Sequence, residues 1–222
     1  TVYNLLLNSG LNKKDSFAGC LVFLFIPAVS FSSFIISTDL FLLLFWTLSL
    51  NQLIKINIEQ SLKNFILLGI FLGLGFLSKY AVVYFVICLF VLILLDQRFR
   101  KFFLDNLSGF GLTFLSMFVI IVPNIIWNFN NDWITLQHTS DNANFGNIEI
   151  DLIRGLEFLL IQVLMLGPFM VLGGIFGFNK WNYIQKIFLI FSMPIIFIVL
   201  VEAIIVRANA NWAAPALSLI HI

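Results

Sequence analysis

A lysine interrupts the apolar stretch "LGLGFLSKYAVVYF", where Lys79 lies between runs of leucine, phenylalanine and valine. A charge inside a membrane segment costs from about 3 to more than 10 kcal/mol, so such a residue usually has a task. An ammonium group in a recessed pocket is a natural ligand for a phosphate. The alternative is a lysine that extends to the membrane surface beside an interfacial tyrosine, Tyr80.

A carboxylate lies between two other apolar runs, in "FSSFIISTDLFLLLFW". One interpretation is that Thr38 or Asp39 caps a helix that begins at Leu40. The other is that Asp39, at membrane depth, has a charged partner or a chemical role.

The segment "PNIIWNFNNDWITLQH", from Pro123 to His138, combines aromatic and polar side chains. Taken singly, Trp127 and Trp133 are typical of the aromatic belt at a membrane interface. Asn128, Asp132, Gln137 and His138 add hydrogen-bonding groups that suit a sugar, although a lone histidine is more often structural.

The segment "EAIIVRANANWAAP" contains a second pair of charges, Glu202 inside an apolar run and Arg207 just beyond it. Two interpretations stay open: the two residues pair with each other, or they line the same outer cavity. Asn211 and Trp212 follow a few residues later.

The elements that position these residues must be membrane helices. The chain is 61% hydrophobic and 10% charged, against about 45–50% and 25% in soluble domains. Runs this long and apolar are helical, because strands would alternate. We predict an all-α polytopic membrane protein, a single transmembrane domain over residues 1–222, with about seven complete spans and the start of an eighth near Trp212. The predicted spans are 17–36, 40–54, 63–78, 81–95, 107–127, 153–178 and 184–205.

The distribution of basic residues predicts the orientation of these spans. Nine of the 12 Lys and Arg residues fall on alternate connections, which the positive-inside rule makes cytoplasmic. Lys79, Arg154 and Arg207 are on the opposite side with most of the acidic residues. The net charge of +1 gives no reason to expect a nucleic-acid partner.

Two neighbouring spans are short. Residues 63–78 and 81–95 are each about 22–24 Å long as helices, whereas one helix over both is too long for a single crossing. We therefore expect the chain to turn at Ser78-Lys79-Tyr80 on the outer side. Residues 55–62 and 96–106 are expected to be ordinary cytoplasmic connections, and 127–151 an outer-face loop.

Several chemistries lack a signature in this sequence. "GIFLGLGF" is better interpreted as glycine at a close helix contact than as a nucleotide-binding loop. There is no Ser/His/Asp arrangement and no metal-ligand spacing, and Cys20 and Cys88 are expected to be buried thiols. No cofactor is predicted, and the use of a divalent cation is left open.

In this order the motifs resemble a known family. "FSSFIISTDLFLLLFWTLSL", "LLGIFLGLGFLSKYAVVYF", "VPNIIWNFNNDWITLQH" and "ANWAAPA" are similar to glycosyltransferase family 39, the dolichyl-phosphate-mannose-protein mannosyltransferase type with bacterial aminoarabinose-transferase-like relatives. The resemblance implies a GT-C type transmembrane helix bundle. It also implies a polyprenyl-phosphate sugar as donor, transferred to a lipid, glycan or protein at the outer face of a bacterial inner membrane.

The resemblance also implies roles for single residues. Asp39 matches the acidic residue of the second outer loop, and Lys79 the lysine expected at the lipid phosphate. The presumed general base belongs to the first outer loop, which would precede Thr1, so the chain is expected to be a fragment with Asp39 in a supporting catalytic role. The expected substrate-binding residues are Lys79, Tyr80, Trp127, Asn128, Trp133, His138, Arg207, Asn211 and Trp212, where Gln137-His138 reverses the order usual in relatives.

Two rival functions stay open. A transporter or flippase of a lipid-linked substrate would bind phosphate through Lys79 without catalysing a reaction. A membrane scaffold would need neither phosphate binding nor catalysis. A second charged cavity facing the cytoplasm would favour transport, whereas the cytoplasmic connections here contain ordinary flanking charges. The oligomeric state, the sugar and the acceptor do not follow from the sequence.

Overall fold

A computed structural model describes residues 1–27, 29–30, 37–143, 149–167, 182–206 and 208–216. All regular elements within these ranges are helical, which agrees with the predicted fold class. The α-helices, in chain order, are α1 (Val2–Asn8), α2 (Lys13–Phe25), α3 (Thr38–Ile58), α4 (Leu62–Ser78), α5 (Val83–Leu95), α6 (Gln97–Asp105), α7 (Leu107–Asn130), α8 (Ile134–Ala143), α9 (Leu152–Leu166), α10 (Tyr183–Ile190) and α11 (Met193–Ile205). Short 3₁₀ turns cover Tyr80–Val82 and Ala210–Ala213.

Three of the described segments are long and apolar enough to cross a membrane: Thr38–Ile58, Leu107–Asn130, and Tyr183–Ile205 taken as one span. A fourth is the pair Tyr80–Leu95 and Gln97–Asp105, which is bent by 109°. The apolar helix Leu62–Ser78 has 17 residues and is shorter. Length and composition thus support three to four crossings, and the number seven stays a prediction. Parts of the predicted spans 17–36 and 153–178 lie outside the described residues.

Two of the expected connections contain helices, and the third is shorter than expected. Within residues 96–106, Gln97–Asp105 form helix α6, whose start is capped by the Asp96 side chain, which accepts a hydrogen bond from the Phe99 N–H at 2.6 Å. Residues 127–151 are not one loop, since α7 continues to Asn130 and α8 occupies Ile134–Ala143. Between 55 and 62, α3 continues to Ile58, which leaves a short connection.

The predicted span 184–205 is two helices rather than one. The break is at Phe191–Ser192, just before Pro194 in the first turn of α11. Proline lacks an N–H and its ring clashes with the carbonyl four residues earlier, so it suits a helix start and not a helix interior. The Ser192 hydroxyl, which lies in this break, is within hydrogen-bond distance of the Phe188 and Ala216 carbonyl oxygens, 2.9 and 3.0 Å away, which share its single proton.

Helix α4 is the centre of the described bundle and packs against α3 on one side and α7 on the other. Glycines allow the close approach to α7: a β-carbon on Gly69 would overlap the Thr113 carbonyl oxygen, and one on Gly73 would be 2.8 Å from the β-carbon of Ile120. This confirms the interpretation of "GIFLGLGF" as a helix-packing sequence. Thr113 adds an interhelical hydrogen bond to the Phe65 carbonyl oxygen at 2.9 Å.

The buried core is largely aromatic at the centre of the bundle. Trp46 of α3, Phe85 of α5 and Phe191 meet edge to face, with ring centroids 5.1 Å apart for Trp46–Phe85 and 4.8 Å apart for Phe85–Phe191. The outward faces of α7 and α9 expose large apolar side chains instead, such as Val119 and Leu164. Apolar surfaces of this kind suit contact with lipid, so the helices form an integral membrane protein.

Candidate functional site

The lysine that interrupts the apolar stretch lies in the connection between α4 and the first 3₁₀ turn. Helix α4 ends at Ser78, and Lys79 has extended backbone angles, φ −161° and ψ 132°. The chain turns immediately afterwards, at Tyr80–Val82. The predicted turn at Ser78-Lys79-Tyr80 is therefore confirmed, and it places two polar side chains in succession at one end of the bundle.

The partner of Lys79 is Asp39, 40 residues earlier at the start of α3. The Lys79 ammonium nitrogen is 2.5 Å from Asp39 Oδ1. The two side chains are 23% and 10% exposed, so the pair is shielded from water yet open on the lysine side. Asp39 is charge-balanced in this arrangement, which offsets part of the cost of burying a carboxylate.

A third residue completes this cluster from a distant part of the chain. Asn211, in the 3₁₀ turn Ala210–Ala213, donates from Nδ2 to Asp39 Oδ2 at 2.9 Å. Each carboxylate oxygen of Asp39 thus has its own donor. The cluster Asp39–Lys79–Asn211 joins three of the residues that the sequence singled out.

The capping interpretation of Thr38 and Asp39 was wrong. Helix α3 begins at Thr38, its N-cap is Ser37, and no side chain caps its first turn. Asp39 lies within the first turn, where a negative charge is favoured by the positive end of the helix dipole. Its carboxylate is used by Lys79 and Asn211 instead of by its own backbone.

Tyr80 belongs to a second polar network, with the end of α7 and the start of α8. Its hydroxyl is 3.2 Å from Asn124 Oδ1 and 2.8 Å from Thr135 Oγ1, and it accepts a hydrogen bond from Asn128 Nδ2 at 3.3 Å. Thr135 Oγ1 in turn donates to Asn128 Oδ1. The chain is thereby fixed on both sides: Lys79 to α3, Tyr80 to α7 and α8.

Two members of this network, Asn124 and Thr135, were missed by sequence reasoning. Asn124 follows Pro123 inside an apolar helix and lies four residues before Asn128, so the two amides share one helix face. That spacing was a usable signal. No such signal existed for Thr135, because it faces Tyr80 only after the turn at Asp132–Trp133, where both residues have positive φ, 53° and 57°.

The remaining predicted site residues lie elsewhere. Trp127 and Trp133 are about half exposed, and His138 is on the exposed helix α8. Trp212 is half-buried against the main core, next to Asn211 but not hydrogen-bonded to Asp39 through its side chain. Arg207 lies outside the described residues, so its relation to Glu202 is untested.

A separate charged cluster ties α9 to the end of α11. Arg154 binds Glu149 at 3.1 Å and Asp151 at 3.0 Å, and donates to the Val206 carbonyl oxygen at 2.8 Å. The N–H of Ile153, then that of Arg154 and its guanidinium, lower the pKa of Asp151 below its ordinary value. The charges of Glu149, Asp151 and Arg154 are paired with one another, and through Val206 the cluster joins the start of α9 to the end of α11.

The chemistry available at the Asp39–Lys79–Asn211 cluster is anion binding. A lysine ammonium has three N–H groups, and the described residues occupy one of them, through Asp39. Two N–H groups and the open side of the lysine remain available to an anion. Across the described ranges no three His, Cys, Asp or Glu side chains lie close enough together to hold a metal ion.

Comparison with known proteins gives two findings. A family model described as dolichyl-phosphate-mannose-protein mannosyltransferase matches residues 2–127. The chain is also 31% identical over 196 residues to the lipid A galacturonosyltransferase RgtD of Rhizobium johnstonii, covering 86% of this chain and 41% of that protein. The chain thus spans less than half the length of this curated relative. No solved structure matches.

Proposed function

Because the chain belongs to the dolichyl-phosphate-mannose-protein mannosyltransferase family, we propose that it transfers a sugar from a polyprenyl-phosphate donor to a lipid, glycan or protein acceptor. The reaction takes place at the end of the bundle that contains Asp39–Lys79–Asn211, on the outer face of a bacterial inner membrane. The observation that carries this proposal is that Lys79 and Asn211, from two distant segments, both bind the Asp39 carboxylate and so hold a partly shielded ammonium group at one end of the bundle.

Lys79 contacts the phosphate of the donor. The two N–H groups that Asp39 does not use bind phosphate oxygens, and the positive end of the α3 dipole adds to their attraction. Asp39 and Asn211 orient the lysine, so the ammonium does not need to be reorganised when the donor arrives. The aromatic residues Trp127 and Trp133 lie at the edge where the isoprenoid chain and the sugar would enter.

The chemical step breaks the bond between the anomeric carbon and a phosphate oxygen. The acceptor hydroxyl oxygen forms a new bond to that carbon and gives its proton to a carboxylate, and the lipid phosphate leaves with the electron pair of the broken bond. Negative charge grows on the leaving phosphate during this step. A fixed cation stabilises it more in the transition state than in the ground state, which is how Lys79 accelerates transfer.

The first test is sugar transfer by the full-length natural protein with Lys79 replaced. We expect Lys79→Ala to lower the transfer rate by about 10²–10³-fold, the usual cost of losing one preorganised donor to developing charge. Lys79→Arg should retain part of the rate, because it keeps the charge. The measurement is incorporation of radiolabelled sugar from the lipid-linked donor into acceptor by purified protein in bilayers.

Lys63→Ala is the matched control, since Lys63 is at the opposite end of the same helix α4 and is exposed. Normal transfer by Lys79→Ala would overturn the phosphate role. Movement of intact donor across the bilayer by the wild-type protein, without sugar transfer, would replace the proposal with the flippase alternative.

A further inference from the structure

Helix α6 has a surface that the proposed reaction does not use. It follows α5 at a bend of 109°, so it lies across the end of the bundle rather than along it. This is the end opposite to the Asp39–Lys79–Asn211 cluster, because α5 begins beside Lys79 and ends at α6. We call residues 94–107, which include α6 and its flanks, the α6 ledge.

One face of α6 holds it to the bundle. Phe99, Phe102 and Phe103 recur at the three- and four-residue spacing of a helix face, and all three rings lie against Phe110 of α7, with centroids 6.4, 6.0 and 4.6 Å away. The helix is thereby fixed in a plane across the bundle. Its other face is turned away from Phe110.

Three basic side chains lie outside the phenylalanine face of α6, and each makes different contacts. Arg100 folds back to donate to the Ile93 and Leu94 carbonyl oxygens at 2.9 and 2.5 Å, which caps the end of α5. Arg98 lies over the Tyr183 ring, 5.7 Å from its centroid. Lys101 forms no hydrogen bond or ion pair with any residue that the structure describes, including Asp105 one turn later.

Arg98 and Lys101 are three residues apart, so they are neighbours on the helix surface and repel each other. Two acids belong to the same ledge: Asp96, which caps α6 through the Phe99 N–H and accepts from the Tyr183 hydroxyl at 3.1 Å, and Asp105, one turn after Lys101. Among the described residues neither Arg98 nor Lys101 forms an ion pair with a carboxylate. An external anion between the two side chains would relieve the repulsion.

Exposed apolar side chains in the α6 ledge point to the source of the anion. Leu94, Leu95, Leu104 and Leu107 are 53%, 70%, 56% and 54% exposed. A helix in the interface plane, with cations on one side and exposed leucines beside them, is the arrangement that binds the boundary between lipid headgroups and acyl chains.

We propose that the α6 ledge is a binding site for anionic phospholipids. Arg98 and Lys101 contact the headgroup phosphate, and the four exposed leucines contact the acyl chains. The site is separate from the transferase reaction, and it holds the end of the bundle opposite to Lys79 at a fixed depth in the membrane.

The test uses the full-length protein with Cys20→Ser and Gln97→Cys, labelled at residue 97 with a bimane fluorophore. Gln97 is exposed at the start of α6, whereas Cys88 is buried and should not react. Brominated phosphatidylglycerol is titrated into phosphatidylcholine bilayers. In the labelled protein, half of the maximal fluorescence quenching should occur at a low mole fraction of phosphatidylglycerol. The double variant Arg98→Gln with Lys101→Gln should need a mole fraction that is higher by about fivefold for each charge removed.

The control is Lys55→Gln with Lys63→Gln, which removes the same charge from exposed positions at the same end of the bundle. This variant should leave the midpoint unchanged. The proposal is overturned if the Arg98/Lys101 variant keeps the wild-type midpoint or if the control variant shifts the midpoint equally. It is also overturned if brominated phosphatidylcholine quenches as well as brominated phosphatidylglycerol. Each of these results would mean that the basic side chains of α6 do not bind anionic headgroups.

Discussion

At the scale of the residue, Lys79 is defined by its partners. The sequence predicted a lysine at a turn and an isolated carboxylate at Asp39, but it did not pair them from the residues alone. Their contact joins positions 40 residues apart, and Asn211 reaches Asp39 from 172 residues away. No local pattern contains such distances, so Asn211 was indicated only by the family resemblance.

Asp39→Asn tests whether the carboxylate positions Lys79. Asparagine keeps the shape of the side chain but loses the negative charge that holds the Lys79 ammonium. If its oxygen still faces Lys79, its NH₂ group faces the NH₂ group of Asn211, and two donors cannot form a hydrogen bond. We expect transfer to fall by at least about tenfold with normal membrane insertion, measured by sugar transfer and by yield in the membrane fraction.

Asp141→Asn is the matched control for this change. Asp141 is exposed on α8, and the proposed site does not include it. Its transfer rate should stay at the wild-type level. Unchanged turnover in Asp39→Asn would show that Asp39 has no role in positioning Lys79.

At the scale of the element, the apolar helices α3, α4 and α7 match predicted spans to within a few residues, whereas α2 ends at Phe25, α9 ends at Leu166 and the short polar helices were not predicted. The boundaries of α4 differ from the prediction by one residue at the start, because a continuous apolar run has clear ends. Helices α6 and α8 are short and contain many polar residues, and each is held by contacts from another element: Phe110, at the start of α7, for α6, and Tyr80 for α8. Propensity alone does not reveal helices that depend on such contacts.

The contact of α4 with α7 gives a prediction about stability. Gly69→Ala places a methyl group against the Thr113 backbone, which cannot move without shifting α7. We expect the free energy of unfolding to fall by about 1–3 kcal/mol, the usual cost of overpacking. The measurement is reversible unfolding in mixed detergent micelles.

Gly111 on α7 provides the matched control, because a β-carbon there would meet nothing within 4 Å. Gly111→Ala should leave stability unchanged or raise it by up to about 1 kcal/mol, through the higher helix propensity of alanine. Equal effects at the two glycines would contradict the close packing of α4 on α7.

At the scale of the whole molecule, the two ends of the bundle are chemically different, as the charge alternation predicted. One end brings together the start of α3, the end of α4, the end of α7 and the 3₁₀ turn at Ala210–Ala213. The other joins the ends of α3 and α5 to the starts of α4 and α10, through the hydrogen bonds Gln52–Asn64 and Asp96–Tyr183. Segments predicted to share a membrane face are therefore in contact, and which of the two faces is outside stays a prediction from the positive-inside rule.

Direct binding of undecaprenyl phosphate, without a sugar, tests the central claim that the Lys79 end of the bundle binds a lipid phosphate. The comparison uses Lys79→Ala and Lys63→Ala in the full-length protein, because these lysines lie at opposite ends of α4. We predict that Lys79→Ala raises the Kd by at least about tenfold, the loss of roughly 1.4 kcal/mol from one charge-assisted contact, while Lys63→Ala leaves it unchanged. An unchanged Kd in Lys79→Ala, or an equal rise in both variants, would contradict the account.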